Sequence, residues 1–328
     1  MGVYPVIERY LGRLTREFAS ASSKHEAHQR SRPIIEELTH DPAFLTEAIR
    51  KHLATPASLN KKHYPVFSFD IDLNAYFGLV LNCWIPLPDA STNMSTKLVH
   101  HHGDMLLTTG TLFGPGYEHW TFEKPQPNPN GTYTLKHITH VVHPHHNVDF
   151  VDSYIAHCPF YPPSLTITAA LWSSRFPTTW KDKVKRWPIF RGREATLRKL
   201  AATIGLAKSL ELKIVQDFDF YPTPQGFRSI TDRVEFELGP NDDHLQSFFH
   251  IVQKTGNTSL LPELKRAAEH VENRATYERL LKELESGKDI PGKLSAKHYG
   301  QPRLNFTRDE LLAAVAAQEA STPVQAAR

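Results

Sequence analysis

Cysteine is almost missing from this chain: Cys83 and Cys158 are the two among 328 residues. A disulfide-stapled scaffold and a cysteine-based zinc cluster are therefore excluded, and one bridge at most could form. No apolar run approaches the roughly 18 to 20 residues that a membrane span requires. The first residues carry no signal-peptide hydrophobic region, and Val6 stands where an N-myristoylation motif needs Ser or Thr. The expectation is a cytoplasmic, reduced protein with no membrane partner. Charge of one sign is also scarce. Lysine and arginine exceed aspartate and glutamate by 38 to 35, a net +3, which implies no nucleic-acid partner. No internal repeat and no DNA-binding motif is present.

What remains is an ordinary soluble composition, 40% hydrophobic and 22% charged, in a length that a large β-barrel unit with helical additions can reach. Residues 4–53 have helical periodicity: Val6, Ile7, Tyr10, Leu11, Leu14 and Phe18 recur at three- and four-residue steps. A second helix is expected near Pro33, and Asp41-Pro42 reads as an N-cap and first-turn proline for a third. From Tyr64 the period becomes two. Strands are expected within 64–73, 76–87, 97–102, 105–113, 117–123, 132–143, 148–155 and 164–173, broken by Gly114-Pro115-Gly116 and the polar stretch 125–131. Many short strands with Gly/Pro turns predict a double-sheet jelly roll. Helical character returns after Arg175, with an amphipathic, basic stretch over 193–210. β-like excursions follow at 212–221 and 233–238, and further helices at 244–252, 260–285 and 308–318. The division expected is a helical portion over 1–62, a β-barrel over 63–176 and a mostly helical extension over 177–328.

Histidine is the abundant residue. Ten of nineteen fall between His100 and His157, where a β-rich run would otherwise be building a hydrophobic core. Alternate residues of a strand share a face, so His100 and His102 point together and His101 points away. Two imidazoles so spaced can reach one ion, provided that a distant strand adds a third ligand. A facial set of three leaves positions open for substrate and oxygen or water, as a catalytic iron site needs. His137, His140 and His143 are three residues apart on one expected strand, so neighbours alternate faces and cannot all meet one ion. His143 is the reserve ligand among them. His145 and His146 fall in a turn at the barrel mouth, where they could transfer protons.

The order of these features resembles the cupin superfamily. His100-His101-His102 stands for the His-x-His of the first motif, followed by the strand Leu106-Leu107-Thr108-Thr109-Gly110, the turn Gly114-Pro115-Gly116 and the strand from Tyr117 to Phe122. The second motif is matched by Pro144 through His157 and the apolar strand Ser164 to Trp172. The resemblance covers about 64–174. It implies a cupin-type double-stranded β-helix flanked by N- and C-terminal helices, with His157 as the third ligand. Where most cupins place a glutamate shortly after His-x-His, this chain has Met105, Leu106 and Leu107. That absence is similar to the three-histidine branch containing cysteine and other thiol dioxygenases. The turn before His157 carries His145-His146 in place of the usual glycine. The resemblance thus implies a non-haem Fe(II) dioxygenase using His100, His102 and His157 with O2 on a small anionic substrate.

Alternatives remain open at this level. His102-Gly103-Asp104 with a distant histidine fits a 2-oxoglutarate-dependent oxygenase, with Arg175 on the co-substrate carboxylate. Glu118 is another reserve ligand. A non-redox metal cupin, either an isomerase or lyase or a ligand-binding regulator, is a further class, and the helical additions could then serve homodimerisation or a partner. Tyr117, His119, Trp120, Tyr154, Tyr161 and Arg175 are substrate-contact candidates by location. Cys158 should face away from His157 as a buried thiol. The basic run Lys181, Lys183, Lys185, Arg186, Arg191 and Arg193 reads as a solvated helix surface.

Overall fold

The N-terminal portion, up to Leu59, folds as helices whose apolar stripes close on one another. In α1 (Pro5–Ser20) the buried residues are Ile7, Tyr10, Leu14 and Phe18, one stripe of the 3.6-residue period. No side chain of its own caps α1. Instead the Glu47 carboxylate, from α3 (Pro42–Leu53), accepts from the Val6 and Ile7 backbone N–H groups at 2.9 Å each. A negative group at a helix N-terminus is stabilising. Helix α2 (Lys24–Thr39) starts well before Pro33. Ser23 accepts from Glu26 N at 3.1 Å, a capping interaction that sets the start at Lys24. Pro33 therefore lies inside the helix. Asp41 does cap α3, accepting from Ala43 N at 3.0 Å. A short helix, α4 (Pro56–Leu59), ends this portion.

The computed structural model describes residues 3–64, 66–173, 219–230, 238–294 and 305–321. Arg175, the basic run within 181–193, the helix expected over 193–210 and residues 212–218 and 233–237 of the two β-like excursions lie outside them.

Thirteen strands are present among the described residues. They are β1 (Phe67–Leu73), β2 (Gly78–Trp84), β3 (Val99–His100), β4 (Leu107–Phe113), β5 (Tyr117–Phe122), β6 (Gln126–Pro127) and β7 (Tyr133–Thr134). Then come β8 (His137–His143), β9 (Val148–Val151), β10 (Ala156–Pro159), β11 (Thr166–Trp172), β12 (Asp219–Thr223) and β13 (Gly226–Ser229). One sheet has the order β1-β2-β11-β4-β9, the other β6-β7-β13-β12-β3-β10-β5-β8. Set β1, β6, β7, β12 and β13 aside, and eight strands remain in chain order. The first, eighth, third and sixth form one sheet; the second, seventh, fourth and fifth form the other. That interleaving is a jelly roll, the double-stranded β-helix shared by cupins. Two turn glycines permit it. Gly116 has φ +91°, and a Cβ there would stand 1.5 Å from the His143 carbonyl oxygen; at Gly114 (φ +84°) it would stand 2.0 Å from the Leu165 oxygen.

The two faces of the first sheet differ in kind. Leu79, Leu81, Ile167, Ala169 and Leu171 face outward into a core shared with α1, α2 and α3 and are wholly buried. Of the alternating inward residues, Trp84, Thr168 and Ala170 are buried, while Val80, Asn82, Thr109 and Trp172 are only partly covered. Solvent therefore reaches part of the barrel interior, while the larger apolar core lies outside it, beneath the helices. On the second sheet the outer face is also capped. Trp120, Phe122, Cys158, Phe220 and Phe227 form a separate cluster with Phe306, Leu311 and Ala314, the last two from α8 (Arg308–Ser321). The C-terminal region thus adds strands β12 and β13 to the barrel sheet as well as helices. Of these, α5 (Asn241–Lys254) stacks Phe248 on His52 and Phe67. Helix α7 (Arg274–Glu285) packs beside it, and α6 (Leu261–Ala267) packs against α3 and α7.

Candidate metal centre

Register alone brings two histidines together. Strands β3 and β10 pair antiparallel with His157 directly opposite His100, so their side chains rise from neighbouring points on one face. His102, two residues on from His100, shares that face. The imidazole centroids lie 4.2 Å (His100–His157), 4.8 Å (His102–His157) and 4.9 Å (His100–His102) apart. One nitrogen from each ring falls within 4.8 Å of the others.

The hydrogen bonds specify which nitrogens are bare. His100 Nδ1 lies 2.8 Å from the Leu98 carbonyl oxygen and His157 Nδ1 lies 3.3 Å from that of Ile155. A carbonyl can only accept, so both Nδ1 atoms carry protons and both Nε2 atoms present lone pairs. His102 Nε2 is 3.1 Å from His157 Nε2. Two nitrogens bound to one ion at about 2.1 Å each, at 90–110°, stand about 3.0–3.4 Å apart. The spacing therefore fits a pair of ligands on one cation, and Nδ1–H bonds to carbonyls are the outer contacts that orient ligating imidazoles.

Electrostatics keeps these rings neutral, the form that binds metal. Burial pushes His157 down to about 3, opposed by its bond to Ile155 and assisted by the nearby Lys97 charge. His100 and His102 are held well below the ordinary histidine range, first by burial and then by each other's proximity to His157 and by Lys97. The Lys97 amine is itself pulled down by burial and back up by Asp219. Trp172 packs its edge on His102 with centroids 4.3 Å apart, restricting that ring.

A second trio adjoins the first. His119 on β5, His143 at the end of β8 and Asp149 on β9 bring one ligand atom each within 4.8 Å of one another. The His119 and His157 rings are 5.1 Å apart. Tyr117 faces the same region, 5.2 Å from the His143 ring and 5.2 Å from Trp84.

The other residues singled out from sequence go elsewhere. Asp104 is mostly exposed, its carboxylate 2.9 Å from Lys24 Nζ, so it does not join His102 on an ion. Glu118 lies on the opposite face of β5, where it takes the Trp120 indole N–H at 2.5 Å and pairs with Arg308. Trp120 is on that outer face too, within the cluster beneath α8, and so is not on the barrel lumen. Tyr154 packs 5.8 Å from His101 and under Lys124, and Tyr161 is buried with its N–H on the Met94 carbonyl. His101 turns from the triad toward Phe220, its Nδ1 accepting from Gly103 N. His145 binds the Leu112 carbonyl, and His146 stacks at 3.7 Å on both His145 and His40. Cys83 and Cys158 are buried and free, Cys158 on the face away from His157.

Sequence reasoning did not single out Asp149 and Lys97. The usable signal for Asp149 was an acidic residue alternating with Val148 and Phe150 inside an expected strand; for Lys97, a cation three residues before the paired histidines.

No helix among the described residues is long and apolar enough to cross a membrane. No protein-family model matches the sequence, and no curated protein matches it. Among solved structures, it is similar to a cupin-2 domain from Rhodospirillum rubrum at 13% identity, over 45% of this chain and 83% of that one, with a TM-score of 0.22. It is also similar to a double-stranded β-helix protein from Klebsiella pneumoniae at 11% identity, over 36% and 86% of the two chains, with a TM-score of 0.23. A DMSP lyase from Ruegeria pomeroyi gives 10% identity and a TM-score of 0.22 over 35% of this chain. This chain spans half the length of that lyase and two fifths of another DMSP lyase structure. Strand order, independently of these likenesses, makes the barrel a double-stranded β-helix flanked by helices.

Proposed function

We propose that this protein is a metal-dependent enzyme whose centre is His100, His102 and His157, and that it is a non-haem Fe(II) dioxygenase acting on a small anionic organic substrate. The observation that carries the proposal is the convergence of three neutral imidazoles on one point inside a solvent-reachable barrel. Iron(II) bound there supplies the electrons that spin-paired organic molecules do not readily give to oxygen. All the rest is contributed by the chain. The Leu98 and Ile155 carbonyls hold the His100 and His157 rings so that Nε2 faces the centre. Three neutral ligands leave the ion's charge uncancelled, and Lys97 adds a further cation nearby, so a carboxylate or thiolate is drawn to the site. Trp172 and Trp84 supply apolar wall for the substrate's carbon skeleton.

The test is iron-loaded protein, handled without oxygen, screened against small carboxylic acids and thiols for a spectral change and then for oxygen uptake. The expected result is stoichiometric oxygen consumption with one chemical class, lost in His102→Ala together with the bound iron. Iron retained in the His100→Ala, His102→Ala and His157→Ala variants would refute the centre. Metal binding without oxygen uptake across all classes would instead place the protein among metal-dependent isomerases or lyases.

A further inference from the structure

The trio His119, His143 and Asp149 is not needed by the reading above. Its atoms are arranged in a way that separates two explanations. A proton relay passes through both nitrogens of each imidazole in line: one receives while the other gives. Here His119 Nδ1 is 3.2 Å from His143 Nε2, and Asp149 Oδ2 is 3.5 Å from that same His143 Nε2. Two partners therefore converge on one nitrogen. A single N–H cannot serve both well, and a line of transfer would need the ring's other nitrogen. Convergence of three ligand atoms is what a cation produces, and 3.2 and 3.5 Å lie close to the spacings of nitrogen and carboxylate ligands bound at about 2.0–2.2 Å.

The fold explains the convergence. His143 pairs with Tyr117 across β5 and β8, which puts it diagonally next to His119. Its carbonyl is the group that Gly116 packs against, which fixes the end of β8. The turn at 144–147 then crosses from one sheet to the other and starts β9, where Asp149 points inward while Val148 packs outward against the helices. The two imidazoles are almost fully buried, and the Asp149 side chain is about one-third exposed at 32%. The carboxylate is thus the side open to entry.

We infer that His119, His143 and Asp149 form a second site for a divalent first-row cation, sharing a wall with the three-histidine centre through the His119–His157 contact. Two histidines and one carboxylate suit zinc, manganese or iron(II), and three protein ligands leave room for water or substrate. The anionic carboxylate distinguishes this site from its all-imidazole neighbour, so the pair would hold two cations of different net site charge.

The experiment uses the full chain, stripped with a chelator, returned to excess Zn2+, desalted and analysed for zinc per chain. Wild type is expected to retain two equivalents. Asp149→Asn, a near-isosteric change at a partly exposed group, is expected to retain one, as is His143→Gln. His102→Gln should also retain one, and His102→Gln with Asp149→Asn none. If Asp149→Asn keeps the wild-type zinc content, the second site is refuted; a shifted pH profile in that same variant would identify the trio as a hydrogen-bonded relay instead. Zinc lost in Asp149→Asn and unaffected in His102→Gln would sink the three-histidine centre and leave the second site standing.

Discussion

Lowering the pH from 7.5 to 5 should destabilise this protein through histidines that have no part in either candidate metal centre. His28 on α2 is 1% exposed, with Nδ1 bound to Thr108 at 2.7 Å and Nε2 buried without a partner. Burial pushes it down to about 3, with the His25 and Lys24 charges adding to the effect. His244 on α5 is pushed down to about 4 by burial, opposed by its bond to the Ser58 carbonyl, and His52 is held well below the usual range by burial. For each, the folded value lies below the unfolded value of about 6.5, so the unfolded chain binds the extra proton as pH falls. Their contribution is complete above about pH 7 and is lost as pH drops from 6.5 toward the folded value. At pH 5 none of the three has reached its folded value, so the loss depends on the unfolded value alone: about 2 kcal/mol each, about 6 kcal/mol together. That is comparable with the whole stability of many domains, about 5–15 kcal/mol. Urea unfolding at pH 7.5 and 5.0, with chelator present so that metal release does not contribute, reads this loss together with that of the centre histidines, which burial also pushes down, and a His28 variant isolates one share of it. His28→Gln lowers stability at both pH values, but the difference between them should shrink by about 2 kcal/mol. An undiminished pH difference in that variant would refute the assignment of a buried neutral His28.

Three further outcomes follow from other parts of the structure. Gly116→Ala should cost more than about 4 kcal/mol or prevent folding, because its Cβ would meet the His143 oxygen at 1.5 Å; Gly131→Ala, also at positive φ but with nothing within 4 Å, should cost about 1–2 kcal/mol by thermal unfolding. Glu47→Ala should destabilise by about 2–3 kcal/mol in urea unfolding, since it leaves the Val6 and Ile7 N–H groups without their carboxylate. Chelation should lower the melting temperature of metal-loaded wild type by about 5 °C or more, from a binding contribution of about 2–3 kcal/mol at modest metal excess. The shift should be smaller in His102→Gln.

Local rules carried a large part of this molecule. The 3.6-residue stripe of α1, the Asp41-Pro42 start of α3, and the change to period two at the barrel were legible because each depends on neighbours within a few residues. Helix α2 starts at Lys24 and not near Pro33 because the Ser23–Glu26 cap sets its first turn, and Pro33 is accommodated inside a helix held by its packing. Strand alternation put His100 and His102 on one face with His101 opposite. It could not say where Glu118 and Trp120 would go, since only the C-terminal cover of α8 makes the outer face of β5 a buried one.

The chain's own chemistry therefore determined that histidines would gather on a two-residue period in a jelly roll. Tertiary structure decided which of them meet. His157 reaches His100 because β10 pairs with β3 across 56 residues of intervening chain, and Asp149 reaches His143 because one turn crosses between sheets. Register between distant strands is set by the packing of both sheets and their covering helices, a balance that no local stretch of sequence contains.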